Sequence, residues 1–211
     1  MEIGVRDASD SDLRFVRRLA TEAILYTIPY GRTTPNSAVQ ARVRENLRDL
    51  AANDDMAVLV AYRQDNAKPI GYLILQLNEL DQGTGDRQSY IFDLAVEPRY
   101  WGTPAVRLLV HEAARRTAQA GLQMMAGEIT AHNERTYLQA LRLGFELERF
   151  KIVMNCSESG PVPMPRRPEE QRAYQASRQK KGGRESSKVP ATYRQARQAR
   201  AAGKPANPDA R

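Results

Sequence analysis

Three strand-like runs separated only by short turns, Met56 to Tyr62, Ile70 to Leu80 and Ser89 to Val96, restrict the fold more than any other feature. The turn clusters Asp65-Asn66-Ala67-Lys68-Pro69 and Asp81-Gln82-Gly83-Thr84-Gly85-Asp86 join them, so an antiparallel meander is expected. Before it stand a short strand, Glu2 to Arg6, and two helices. Ser9 is placed to cap the first helix, with Asp12 three residues on as an acidic variant of the capping box. Leu13, Val16, Leu19, Ala20 and Ala23 then recur at helical spacing. The second helix is expected after Pro35-Asn36, with Val39, Val43, Leu47 and Leu50 on one face. After the meander come a helix (Pro104 to Ala120), a strand (Gln123 to Ile129), a helix (Asn133 to Leu143) and a strand (Phe145 to Met154). The order implies an α/β fold with a mixed, mostly antiparallel sheet flanked by about four helices.

The pattern stops abruptly. Residues 157–211 contain Val162, Met164, Tyr174, Val189 and Tyr193 as their only sizeable apolar side chains, and seven of the chain's 12 prolines. That is too little apolar surface to offset the entropy of ordering. The domain is therefore expected over 1–155, with 156–211 a Pro/Arg/Gln-rich tail, disordered unless bound. The tail holds 13 Lys/Arg against 5 Asp/Glu, net +8, which leaves the first 156 residues at net −1 out of the chain's +7. Basicity thus belongs to the tail, which suits nucleic acid or an acidic protein as partner.

Length 211 suits one domain with a substantial core. No 18-residue apolar run and no secretory leader is apparent, so a cytoplasmic protein with no membrane partner is expected. A single cysteine, Cys156, and two histidines, His111 and His132, leave no pattern for an internal disulfide or a zinc site.

Three segments in order carry a resemblance. They are Tyr90-Ile91-Phe92-Asp93-Leu94-Ala95-Val96-Glu97-Pro98, an amphipathic helix ending at Gly121, and Asn133 with Gly144-Phe145 eleven residues on. Together they resemble the GCN5-related N-acetyltransferase (GNAT) family over residues 2 to about 154. The resemblance implies an acetyl-CoA-dependent N-acetyltransferase acting on a small-molecule or protein amine. In that family a strand ending Val-x-Pro leads into a glycine-rich turn whose amides hold the pyrophosphate at a helix N-terminus, where free N–H groups and the helix dipole favour phosphate.

The turn departs from the family's Arg/Gln-x-x-Gly-x-Gly/Ala. In one frame those positions fall on Trp101, Pro104 and Val106; two residues earlier they fall on Arg99, Gly102 and Pro104. The cofactor-binding candidates are Ala95, Val96, Gly102, Thr103, Ala105, Val106 and, on the pantetheine arm, Asn133. Thr103-Pro104 also reads as a plain N-cap and N1 pair, and Asn133 as the cap of the helix it opens. Trp101 is a stacking surface for adenine or a packing residue. Asp93, flanked by apolar Phe92 and Leu94, is the candidate general base, with partial desolvation raising its pKa; the alternative is a carboxylate bonded to backbone at a strand splay. Glu97 is a second candidate base, the alternative being a carboxylate in a solvated turn. The family's tyrosine acid falls on Ala140, so Tyr137, one turn earlier, is the candidate in its place, the alternative being a tyrosine that packs in the core or groove. Acceptor residues are expected in the first two helices and their loop, including Tyr26, Tyr30, Gly31 and Arg32.

A second reading keeps the fold without turnover, as a subunit of a nucleoprotein or viral assembly anchored by the tail. A neighbouring copy completing the sheet through edge pairing would suit an oligomer. One observation separates the readings. A crevice between the strands ending at Val96 and Ile129, open toward the Pro104 helix start, suits the enzyme; a crevice filled by Trp101 or Val106 suits the scaffold.

Overall fold

The protein is represented by a computed structural model that describes residues 1–29, 32–48, 53 and 55–153. The expected tail, Leu50, Met154 and the acceptor-loop residues Tyr30 and Gly31 lie outside the described residues. The chain divides into two compact units, Met1–Ile152 and Val153–Arg211, and the helices and strands of the described residues lie in the first. They run β1 (Ile3–Asp7), α1 (Asp10–Ala23), a 3-10 turn (Ile24–Tyr26), α2 (Asn36–Asn46), β2 (Met56–Arg63), β3 (Pro69–Leu80) and β4 (Arg87–Val96). A second 3-10 turn (Pro98–Tyr100), α3 (Ala105–Gln119), β5 (Met125–Gly127) and α4 (Glu134–Arg142) follow.

The strands form one sheet in the order β1-β2-β3-β4-β5, antiparallel except for the parallel pair β4 and β5. Successive strand side chains point to opposite faces, and here both faces are covered. Leu59, Ala61, Leu73, Leu75 and Val96 meet Ala105, Leu109, Val110 and Ala113 of α3. Val60, Tyr72, Ile74 and Ala95 meet Val16, Leu19 and Ala20 of α1 and Leu47 beyond α2. Double coverage explains why Ile70, Tyr72, Leu73, Ile74 and Leu75 are all fully buried, a continuous run rather than an alternating one.

The expected cap of α1 is present. The Ser9 amide and hydroxyl donate to Asp12 Oδ2 at 2.8 and 2.6 Å, and the Asp12 amide donates to the Ser9 carbonyl at 2.9 Å. Arg6 closes on the same carboxylate with both Nη atoms. Burial alone would raise the pKa of Asp12, but the bonds from Arg6 and Ser9 outweigh it and bring the group down to about 2.

Three expectations need correction. The third helix starts at Ala105, with Pro104 as its flanking residue, because Thr103 does not take the capping position. The strand expected over 123–129 pairs only at Met125–Gly127. Residues 145–153 form no strand: their pattern suits one, but a strand exists by pairing, and these residues find no partner edge among those described. Phe145 instead packs against the α3 side of the core, while Phe150 and Ile152 are exposed. Among the described residues no helix is long and apolar enough to cross a membrane.

Candidate active site

The site begins where two strands part. β4 pairs with β5 only at Ser89↔Met125, Tyr90↔Ala126 and Ile91↔Gly127. The β3–β4 register shifts at the next residue, from Leu75↔Ile91 to Ile74↔Asp93, so Phe92 is an extra residue, a bulge that bends β4. From there to Val96 the strand keeps β3 on one side and has no β5 on the other.

The direction of its backbone groups follows from the register. The Glu97 amide donates to the Ile70 carbonyl at 2.9 Å, and antiparallel partners alternate between bonded and non-bonded pairs. Ala95↔Tyr72 and Asp93↔Ile74 are therefore bonded pairs, whereas Leu94↔Leu73 and Val96↔Gly71 turn their N–H and C=O groups outward. Ala95, a cofactor-binding candidate, turns its backbone groups to the β3 ladder, and its side chain is buried. Of the four outward groups, the Leu94 amide is held by Asp93 Oδ1 at 2.9 Å and the Val96 carbonyl by the Trp101 indole N–H at 2.8 Å. The Leu94 carbonyl and the Val96 amide face the gap.

Beyond β4, the loop leads to the head of α3. Gly102 has φ +86°, a conformation that favours glycine, and a Cβ built on it would meet nothing within 4 Å. Gly102 lies three residues after Arg99, and the space above it is open. The first amide of α3 bonded back to a carbonyl is that of Leu108, to Pro104 at 2.9 Å, which leaves those of Ala105, Val106 and Arg107 without intrahelical partners. The Thr103 hydroxyl donates to the Tyr100 carbonyl at 2.7 Å and lies 3.5 Å from the Ala105 amide, too far to hold it. Three free amides over an open glycine, next to an edge offering one carbonyl and one amide, fit a pyrophosphate and an amide-bearing arm.

Val106 does not fill the crevice, since its side chain packs against the core beneath α3. Trp101 does lean into it. Besides its bond to Val96, the indole meets Tyr26 edge-on, with centroids 6.5 Å apart, and carries the Arg135 guanidinium over its face at 4.7 Å. It is nevertheless 49% exposed. Two further bonds tie the same parts together: Thr130 Oγ1 donates to the Thr27 carbonyl at 2.7 Å, and His132 Nε2 lies 3.3 Å from the Tyr26 carbonyl.

Asp93 sits on the face of β4 that packs against α1. The Tyr72 hydroxyl donates to its Oδ2 at 2.6 Å. Burial pushes the Asp93 carboxyl upward, more strongly than the Tyr72 hydroxyl and Leu94 amide pull it down, so the net shift is upward. Burial, the neighbouring carboxylate charge and its hydrogen bond push the Tyr72 phenol up as well, which keeps it a donor. Glu97 is not a solvated turn carboxylate. It is buried and accepts from Arg18 Nη2 at 2.8 Å and from Arg99 Nε and Nη2 at 2.9 and 2.5 Å. Those bonds hold it below the ordinary carboxylate range against the opposing effect of burial. A carboxylate so held is a structural anchor rather than a base.

Asn133 caps α4, its Oδ1 accepting from the Thr136 amide at 3.3 Å. Tyr137 is half-buried on the first turn of that helix, with its amide on the Asn133 carbonyl at 3.1 Å. No hydrogen bond joins Tyr137 to Asp93; the partner of Asp93 is Tyr72.

The family model described as "Acetyltransferase (GNAT) family" matches residues 25–145, more than half of the chain. The chain belongs to the GNAT family of acetyltransferases. No curated protein matches it by sequence. Solved structures match it by fold. AAC(6')-Iy, in complex with the bisubstrate analogue CoA-S-monomethyl-acetylneamine, gives a TM-score of 0.57 at 16% identity, covering 74% of this chain and 99% of that one. The aminoglycoside 6'-N-acetyltransferase AAC(6')-Ih from Acinetobacter baumannii gives 0.53 at 17% identity, covering 75% and 100%. A transcriptional regulator from Bacillus halodurans gives 0.56 at 17%, covering 73% and 99%. At such identities the likeness establishes the fold.

As a GNAT domain, the chain shows what its sequence left unread. Tyr72 is the main omission, although a tyrosine inside an apolar strand signals a hydroxyl that needs a partner. No spacing rule joins Tyr26, Trp101 and Arg135, which only the tertiary fold brings together.

Proposed function

We propose that this chain is an acetyl-CoA-dependent N-acetyltransferase that modifies an amine by direct transfer within a ternary complex. The observation that carries the reading is the parting of β4 from β5 after Ile91↔Gly127, beside a helix start with free amides. Acetyl-CoA supplies an acetyl group activated as a thioester. The amides of Ala105, Val106 and Arg107, with the Gly102-Thr103 turn, hold its pyrophosphate. The Leu94 carbonyl and Val96 amide hold its arm, and Asn133 contacts that arm from the head of α4.

Asp93 accepts the proton that the acceptor's ammonium must lose before its nitrogen can attack. A carboxyl raised by burial is the better match to that task near neutral pH. Tyr137 returns a proton to the departing thiolate. The acceptor is a small-molecule or protein amine, and the aminoglycosides named with AAC(6')-Ih and AAC(6')-Iy make amino sugars a first panel. The test is incubation of the full chain with acetyl-CoA and such a panel: mass spectrometry should find the acetylated amine, with CoA released in equal amount. Turnover of none of a broad amine panel, with acetyl-CoA intact, contradicts the proposal.

The tail, residues 157–211 with net +8, is proposed to contact a polyanion. Its removal should leave the domain folded and abolish salt-sensitive polyanion binding; equal binding by the shortened chain contradicts this.

A further inference from the structure

The acetyltransferase reading leaves one contact unexplained. Trp101 occupies an outward carbonyl on the β4 edge, at the position where an amide-bearing ligand would place its own N–H. The indole N–H is 2.8 Å from the Val96 carbonyl, while the neighbouring Val96 amide is open. The ring gains support from two elements outside β4, edge contact with Tyr26 of the 3-10 turn after α1 and the Arg135 guanidinium from α4. Yet it stays half exposed, with open space above the adjoining Gly102, so nothing walls it in. A side chain held by a few separate contacts at the rim of a cleft is exchangeable.

We propose that Trp101 is a displaceable stand-in for the ligand on the β4 edge, and thereby sets the affinity for acetyl-CoA. In the free protein its indole N–H satisfies the Val96 carbonyl. When the cofactor arm binds, an amide N–H of the arm takes that carbonyl, and the indole swings out, leaving Tyr26 and Arg135. Each contact given up subtracts from the observed binding free energy, as in any equilibrium where only a fraction of the protein is competent. Trp101 is thus an affinity-setting residue, not a catalytic one. The inference rests on the acetyl-CoA reading and adds the residue that regulates it.

Trp101 is the chain's only tryptophan, so its emission reports on this contact alone. The experiment measures acetyl-CoA binding by calorimetry on the full wild-type chain, Trp101→Phe and Trp101→Ala, with wild-type tryptophan emission followed in parallel. Trp101→Phe keeps a ring against Tyr26 and Arg135 but loses the N–H, so it should bind several-fold more tightly than wild type. Trp101→Ala should bind about tenfold or more tightly, corresponding to at least 1.4 kcal/mol. Wild-type emission should shift to the red and become more accessible to a neutral quencher as acetyl-CoA saturates.

Equal or weaker binding by both variants, or unchanged wild-type emission at saturation, overturns the stand-in role while leaving the acetyl-CoA reading intact. Failure of all three proteins to bind overturns that reading and the stand-in with it. Binding by the variants but not by wild type supports both. Should Trp101→Ala fail to fold, Trp101→Phe and the wild-type emission decide the matter.

Discussion

The Tyr72 hydroxyl donates to Asp93 Oδ2 at 2.6 Å, joining a fully buried phenol on β3 to the carboxylate on the strand that opens the cleft. This bond stabilises the charged carboxylate, while burial stabilises the protonated form, and burial dominates. The activity of a base follows its deprotonated fraction, so turnover should fall as pH drops through the raised value. Asp93→Asn should lower kcat by about 10²–10⁴ near neutral pH. Tyr72→Phe removes a bond to the charged form and should move the acid limb to higher pH. Rate profiles of the three proteins check both, and an acid limb unmoved by Tyr72→Phe contradicts the coupling.

Gly71 lies opposite Val96 in the β3–β4 register, and a Cβ added to it would come within 2.7 Å of Val96 Cγ2 and 3.0 Å of the Ala95 carbonyl. Glycine in a strand here marks a close approach. Gly71→Ala should therefore cost about 1–3 kcal/mol by overpacking and shift Val96, whose amide faces the gap. Denaturant unfolding and acetyl-CoA affinity should both worsen; a neutral result in both contradicts the contact.

Glu97 anchors the turn between β4 and α3 to α1 through Arg18 and Arg99. Glu97→Gln leaves two guanidinium groups without their carboxylate, although both are about half exposed and keep water. The expected loss is about 1–2 kcal/mol, less than for a fully buried pair. Calorimetric unfolding checks it, and an unchanged Tm contradicts the anchoring role.

Asp12 has the opposite pH signature to Asp93. Its folded-state pKa of about 2 lies below the ordinary carboxylate value near 4, so its contribution is complete above that value and is lost as pH falls toward 2. Asp93, raised when folded, makes stability decline as pH climbs from the ordinary range through its own value. Asp12→Asn should cost about 1–3 kcal/mol at pH 7, from the lost cap and the stranded Arg6, and should flatten the acid limb of stability. Urea melts at several pH values measure this.

The meander and the first two helices were legible because their signals are local: short apolar runs between turn clusters, and a Ser9-Asp12 cap before a 3.6-period stripe. The conformation of Gly102 was not legible, since neither loop frame matches the family pattern throughout and a positive φ is set by the loop path. The strand expected over 145–153 has the right side chains, but pairing is a property of the neighbour. The outward turn of Leu94 rather than Ala95 is hidden for a related reason: the bulge at Phe92 decides which backbone groups turn outward, and a bulge leaves no mark in composition. Trp101 reads from the sequence as a stacking or packing residue, and its bond to Val96 depends on a loop path that no spacing rule gives.

Calorimetric titration of the intact chain with acetyl-CoA tests the central claim most directly. One-to-one binding with measurable heat and a raised Tm is the predicted result, because the free amides of α3 and the open edge of β4 then have a ligand. Neither heat nor thermal shift at millimolar acetyl-CoA would mean that the parted strands hold no thioester, and that this GNAT domain serves some purpose other than acetyl transfer.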